Sequence, residues 1–270
     1  MDGEIPERYG SWIFTQSHSD EADRLRAIAA TYNRFSRGQI RTLGLGEDPR
    51  CLDVGAGPGS IAAWLATEFP RGEIVAADRD ASMLVPLADS CSNLEAVETD
   101  VSDDTALHGM ERFDLVHARF VLMHLRDRLR VLDTLGELVS PGGWLLLGDS
   151  IDLTTEELSH TAYGKTMNAM WEVLHANIGT DISWVSSTPS LLRSRGFVDI
   201  GSEAYLPSAD HRPPVSRFWK LTWQQLRDRL ITSGRVDAAT VERALAQLDD
   251  PDFTAVSPGM LNTRGRATRG

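Results

Sequence analysis

The sequence predicts an α/β fold, a mostly parallel sheet with helices on both faces, carrying a helical cap. Three observations lead there. Between residues 50 and 149, short apolar runs alternate with helical patterns. A glycine-rich turn, Asp53-Val54-Gly55-Ala56-Gly57-Pro58-Gly59, joins the first apolar run to the first helical one. Longer helical stretches flank this region on either side.

The elements follow in order. Strands are expected at 51–54, 73–77, 94–98, 113–118 and 144–148, and helices at 60–68, 81–89 and 127–139. A short turn or helix is expected near 103–107. Strands covered on both faces read as near-continuous apolar runs, as Leu115-Val116 and Leu145-Leu146-Leu147 do. Crossover helices between parallel strands should be right-handed. Residues 1–45 read as an N-terminal helical lid, with Asp20 placed to cap a helix over 22–35. Residues 46–151 form the ligand-binding core and 152–195 an inserted helical cap. Residues 196–270 complete the core, with a strand at 197–206, helices over 213–249 and a strand at 252–266 broken at Pro258-Gly259. Pro207, Pro213 and Pro214 mark the boundary before the late helices.

Composition removes several function classes. A chain of 270 residues can bury a full core without metal or disulfide support. A net charge of −12 opposes broad nucleic-acid binding, which needs a cationic surface. Arg126, Arg128 and Arg130, interrupted by Asp127, read as a solvated helix face. No apolar run approaches the roughly 18 residues of a membrane helix. Residues 1–10 carry acids and no apolar leader segment. The two cysteines, Cys51 and Cys91, make no disulfide framework, and Cys51 reads as a buried thiol. These features predict a cytoplasmic protein with a small-molecule partner and with neither nucleic acid nor membrane as partner. A homodimer is left open.

A glycine turn alone serves equally well as a bend without a ligand. Three details favour a ligand. Asp53 lies two residues before the first glycine, where its carboxylate repels a diphosphate and suits an ammonium group. The spacing is G-x-G-x-G, with Ser60 where a dinucleotide motif wants its last glycine. Acids recur at strand ends: Asp78 ends the second strand and Asp100 follows the third. Ligands of open α/β sheets sit at the carboxyl ends of the strands.

Together with Ala77-Asp78-Arg79-Asp80-x-Ser82-Met83-Leu84, Thr99-Asp100-Val101, Phe113-Asp114-Leu115-Val116-His117-Ala118-Arg119 and Leu138-x-x-Pro141-Gly142-Gly143, the turn resembles a class I S-adenosylmethionine-dependent methyltransferase of the small-molecule, bacterial secondary-metabolism type. The resemblance covers about residues 50–150. It implies a Rossmann-like seven-stranded, mostly parallel sheet with one antiparallel strand, the last two strands coming from 197–206 and 252–266. It implies S-adenosyl-L-methionine as cofactor. Asp53 and the backbone of Gly55, Ala56 and Gly57, closed by Gly59, would hold the methionine amino group. Asp78 would take the ribose, Arg79 and Met83 would flank the adenine, and Asp100 and Val101 would meet its edge. His117 and Ala118 would meet the methionine part. Met83 has an equal reading as a core residue of its helix, and Pro141-Gly142-Gly143 one as a simple turn.

The acceptor is less legible. His117-Ala118-Arg119-Phe120 is not the N/D-P-P-Y/F sequence of amide and adenine N-methyltransferases, and no Pro-Cys pair marks a cytosine C5 enzyme. A small organic, natural-product-like acceptor is expected. Tyr163, Met167, Trp171 and His175 recur at steps of four, with Met170 and Leu174 beside them. That face reads either as packed core or as a pocket wall closed by Tyr9, Trp12 and Phe14. Methyl transfer needs a base only when the acceptor must lose a proton. His117, His124, His160 and His175 are the candidates, and His124 reads equally as structural. Asp149 is expected at the pocket edge. No metal is called for, since no ligand cluster has a recognised spacing. The competing functions are a cofactor-retaining protein that does not methylate, such as a cyclase or a binding protein, and a nicotinamide-dependent oxidoreductase. Asp53 and the absent glycine at 60 oppose the last.

Overall fold

The computed structural model describes residues 9–10, 13–14, 20–103, 105–107 and 109–269. Its strands are β1 (Arg50–Val54), β2 (Glu73–Asp78), β3 (Leu94–Glu98), β4 (Phe113–Arg119), β5 (Val139–Ile151), β6 (Val198–Tyr205), β7 (Ser208–Asp210), β8 (Thr254–Val256) and β9 (Gly259–Arg266). Seven form one sheet in the order β3-β2-β1-β4-β5-β9-β6, and β7 pairs with β8 apart from it. β9 runs antiparallel to both β5 and β6, while the pairings from β3 to β5 are parallel. The doubly wound sheet and its antiparallel strand are those expected, and β9 begins at the glycine after Pro258.

The helices are α1 (Glu21–Arg41), α2 (Ser60–Glu68), α3 (Val85–Ser90), α4 (Arg128–Glu137), α5 (Ala162–Ile178), α6 (Thr188–Ser194), α7 (Val215–Thr232) and α8 (Ala238–Gln247). The helix expected over 81–89 is broken. Asp80 accepts from the Ser82 amide and opens a short 3₁₀ turn, Ala81–Met83. Pro86 has no amide to continue the ladder from that turn, so α3 starts afresh around it. The fifth strand begins earlier than expected, at Val139, because α4 ends at Glu137.

Three apolar clusters organise the molecule. One face of the sheet buries Leu52, Val116, Leu145, Leu132 of α4 and Leu192 of α6 together. The other buries Cys51, Ile74 and Leu146 under Trp64 and Leu65 of α2, with Ile40 from the end of α1. The third lies away from the sheet and joins Met170 and Leu174 of α5, Trp219 and Trp223 of α7, and Val241 and Ala244 of α8. This packing groups two of the segments differently from chain order. The end of the stretch 152–195 leaves the cap, since Trp184, Val185 and Leu192 are apolar enough to cover the sheet. The helices over 213–249 leave the core and join α5 in the cap. α1 spans both units, with Ala27 in the cap and Ile40 on the sheet. No helix of the described residues is long and apolar enough to cross a membrane.

Candidate active site

The carboxyl ends of β1, β2 and β4 meet in a cavity of about 400 Å³. The glycine turn forms its floor. The Gly55 and Ala56 amides both donate to the Ala77 carbonyl, at 2.8 and 3.1 Å, and so tie β1 to β2. Gly55, Gly57 and Gly59 all have left-handed φ, between 55° and 73°. A Cβ on Gly55 would lie 2.3 Å from the Val121 side chain, so that glycine is required by contact as well as by φ. A Cβ on Gly57 would meet nothing, which leaves that side of the turn open. Gly59 serves packing, since a Cβ there would strike Leu84 and Leu87.

Asp78, at the end of β2, accepts the Gly57 amide through Oδ2 at 2.8 Å and the Asp80 amide through Oδ1 at 3.1 Å. Burial raises its pKa above the usual carboxylate value, against the pull of those backbone donors. Asp100 accepts from the Ser102 amide and hydroxyl and lines the same cavity. Asp53 is 3% exposed, and its carboxylate accepts from His117 Nδ1 at 2.7 Å. The atom of this pair that is buried without a partner is His117 Nε2, and both residues line the cavity.

Arg119 ends β4 and reaches α1, donating to Ser36 Oγ at 3.2 Å and Asn33 Oδ1 at 3.0 Å. Burial lowers its pKa to about 10, opposed by the Asp53 charge. Phe120, which follows it, has φ of 56° in the left-handed region and donates its amide to the Gly148 carbonyl at 2.7 Å. A bulky residue held there is a strained position of the kind found at ligand sites. The first turn of α1 supplies the roof. Arg24 donates to both Glu21 oxygens at 2.7 Å, lies 4.0 Å from the Phe14 ring centroid and donates to the Tyr9 hydroxyl. Both charged partners are almost fully buried. Tyr9 in turn packs on His124, with ring centroids 4.6 Å apart.

A smaller inner chamber of about 60 Å³ shares Tyr9, Phe14, Ile28, Phe120 and His124 with the main cleft and extends under the cap to Met170, Trp171, Phe218 and Trp219. His124 therefore stands at the wall between the two spaces. Its Nδ1 is 2.8 Å from Thr180 Oγ1. Burial, with Arg24 and Arg128 nearby, lowers its pKa to about 3, so the ring is neutral at neutral pH.

The residues singled out in the sequence divide. Asp53, Gly55, Ala56, Gly57, Asp78, Arg79, Asp100, Val101, His117, His124, Tyr9 and Phe14 line the main cavity. Gly59, Met83 and Ala118 do not. Ala118 is 2% exposed and packs into the sheet core. Trp171 reaches the inner chamber, with its indole nitrogen bonded to Asp152. Tyr163 and Met167 are fully buried in the cap, Tyr163 edge-on to Trp223, and line neither space. They are core, because the face they share turns toward α7 and α8. His175 is on the exposed side of α5, with Nδ1 2.9 Å from the Thr180 carbonyl, and His160 is exposed too. Trp12 lies outside the described residues. Asp149 does not face the cavity as expected. It sits within β5, 2% exposed, accepting from the Met123 amide at 3.2 Å and the Trp184 indole at 3.1 Å. The arginine cluster is not a free solvated face either, since Arg128 bonds Asp181 and the Gly179 carbonyl. Sequence reading quoted Arg119 and Phe120 within the motifs without giving them a role, and it missed Glu21 and Arg24. That pair carried a signal of its own, an acid and a base three apart in a first helical turn.

Residues 52–145 match the model of a family described as a methyltransferase domain. Methyltransferase str3 of Strobilurus tenacellus is 34% identical over 129 residues, which are 48% of this chain and 45% of that one. The chain thus spans less than half of that relative's length. A trans-aconitate 2-methyltransferase of Methylobacterium nodulans is 27% identical over 235 residues, covering 83% of this chain and 90% of its own. Among solved structures, YcgJ of Bacillus subtilis superposes with a TM-score of 0.58 at 14% identity, over 88% of this chain and all of its own. Coclaurine N-methyltransferase, bound to N-methylheliamine and S-adenosylhomocysteine, gives 0.54 at 16%, covering 96% and 77%. At such identities these two likenesses concern the fold.

Proposed function

We propose that this chain, which belongs to the class I methyltransferases by its sheet and its 52–145 segment, binds S-adenosylmethionine in the main cleft and methylates a small molecule beside it. The observation that carries this reading is the juxtaposition of two spaces across one wall. The outer one is floored by the glycine turn and by acids at three strand ends. The inner one is aromatic and roofed by the cap. The residues present fit the cofactor. His117 Nε2 is a buried polar atom without a partner, the Gly57 side of the turn is open, and Asp53, Asp78 and Asp100 suit cationic and hydroxyl groups while opposing a diphosphate.

When bound, S-adenosylmethionine supplies an electrophilic methyl group on a sulfonium. Asp78 would hold ribose hydroxyls beside the Gly57 amide. Asp100 and Val101 would meet the adenine edge. Arg119 would offer the cation for a carboxylate, and the Asp53–His117 pair would receive an ammonium. Tyr9, Phe14 and the Arg24–Glu21 pair exclude water from above. His124, neutral at the shared wall, would orient an acceptor, and its lowered pKa makes it a poor general base. The relatives named above as methyltransferases support transfer over a purely binding or cyclising role, and a small, largely apolar chamber supports a small organic acceptor.

Calorimetry with S-adenosylhomocysteine and NAD tests the cofactor. S-adenosylhomocysteine should bind and NAD should not. Asp53→Ala should weaken the first by about tenfold or more, the size expected for a lost charge-assisted contact, and His124→Ala much less. NAD binding alone overturns the reading. Methyl transfer is tested with methyl-labelled donor and a panel of small acceptors. Product formed without label, with the donor unconsumed, would replace methylation by the cofactor-retaining alternative.

A further inference from the structure

The inner chamber is unusual in what its polar groups already hold. Arg24 is matched by Glu21, bonded through two nitrogens at 2.7 Å. The Trp171 indole donates to Asp152 at 2.8 Å and the Trp219 indole to Ser257 Oγ at 2.8 Å. The Thr222 hydroxyl donates to the Phe218 carbonyl at 2.8 Å, and the Tyr32 hydroxyl to the Pro258 carbonyl at 3.3 Å. His124 is tied to Thr180. The wall thus presents ring faces and thioethers inward, with these donors bonded to the protein itself, and Ser150 adds one neutral hydroxyl to the lining. A charged guest would lose water there and gain no uncommitted counter-charge.

We propose, resting on the methyltransferase reading, that this chamber selects an uncharged, ring-bearing apolar acceptor and rejects carboxylates and ammonium groups. The ring lies among Phe120, Phe218, Trp171 and Trp219, and the group to be methylated points past His124 into the main cleft. A benzene-sized ring occupies a cavity of about 150 Å³, larger than the chamber at rest. Entry therefore requires Met123 and Met170 to re-pack, which unbranched thioether side chains do readily. Both line the chamber.

The test uses three probes with one ring and different charge: benzyl alcohol, benzoate and benzylamine. Saturation-transfer NMR and titration are run on the full chain, with and without S-adenosylhomocysteine. Benzyl alcohol should bind at least about tenfold more tightly than either charged probe, equivalent to about 1.4 kcal/mol. Leu174→Trp, which fills the chamber, should abolish benzyl alcohol binding and leave S-adenosylhomocysteine affinity unchanged. Met170→Phe serves the same purpose should the larger substitution disturb the cap. Benzoate or benzylamine binding as well as the alcohol overturns the proposal. So does failure of all three to bind, or benzyl alcohol binding that survives both filling variants. Failure of S-adenosylhomocysteine to bind the unaltered chain counts against the methyltransferase reading instead, and the charge series on the free protein still decides the acceptor class.

Discussion

Asp149 and His124 are buried beside the same short turn after β4 and titrate in opposite senses. Asp149 accepts the Met123 amide, and burial raises its pKa from 3.8 to about 7. Its native state therefore keeps a proton that the unfolded chain has lost, and stability falls as pH rises between those values. His124 is lowered from 6.5 to about 3, so its native state lacks a proton that the unfolded chain binds, and stability falls as pH drops below 6.5. From about pH 4 to 6.5 the two slopes oppose, each up to about 1.4 kcal/mol per pH unit for one proton. Urea unfolding over that range should show His124→Phe losing stability as pH rises and Asp149→Asn gaining it. The unaltered chain should lie between them. Equal slopes in all three would refute both assignments. Neither shift was legible in the sequence, because each depends on what covers the residue. The strand-end acids were legible, since Asp53, Asp78 and Asp100 follow directly from where apolar runs stop.

At the level of elements, the turn after α5 is clipped onto the segment after β4. Arg128, 14% exposed, donates to the Leu125 carbonyl at 2.8 Å, to Asp181 at 2.6 Å and to the Gly179 carbonyl at 2.8 Å. The Asp181 amide donates to the Met123 carbonyl at 2.9 Å, and Thr180 holds His124. Arg128→Met should cost about 2 kcal/mol in urea unfolding, the scale of a hydrogen bond to a charged group. It should also weaken benzyl alcohol binding more than S-adenosylhomocysteine binding, since the clip positions His124 and not the glycine turn. A loss confined to stability would make the clip merely structural. Periodicity placed α4 and α5 well, but it could not show that Arg128 joins them across 53 residues to Asp181. The same holds for Arg119, whose partners on α1 are 83 and 86 residues away. Tyr163 and Met167 show the converse limit. Their helical spacing fixed a shared face without saying whether that face meets a ligand or two other helices.

Across the whole molecule, α1 couples the sheet to the cap, and its Leu25, Ile28 and Ala29 line the main cleft. Ligand in that cleft should therefore slow amide exchange in 21–29 and in the glycine turn, and leave α8 unchanged because α8 touches neither space. At a hundredfold excess over its dissociation constant, S-adenosylhomocysteine should add about 2.7 kcal/mol to global stability. Uniform protection across the chain, α8 included, would mean that cap and sheet open as one unit. The division into lid, core, inserted cap and completing segment followed chain order. The apolar clusters group the same segments differently, through long-range contacts that chain order does not show.

The separation of the apolar clusters has an evolutionary corollary. Residues of the cap cluster touch the sheet clusters at few points, Trp171 among them. Changes at residues that share no partner with the strand ends add to changes there with little interaction. A lineage can thus remodel α5, α7 and α8, and with them the shape offered to an acceptor, while the strand ends and their glycine turn stay under separate constraint. The matched segment 52–145 holds the glycine turn and the first strand ends, and the cap helices lie outside it. Chemistry can be inherited by one half of such a fold while taste is reinvented in the other.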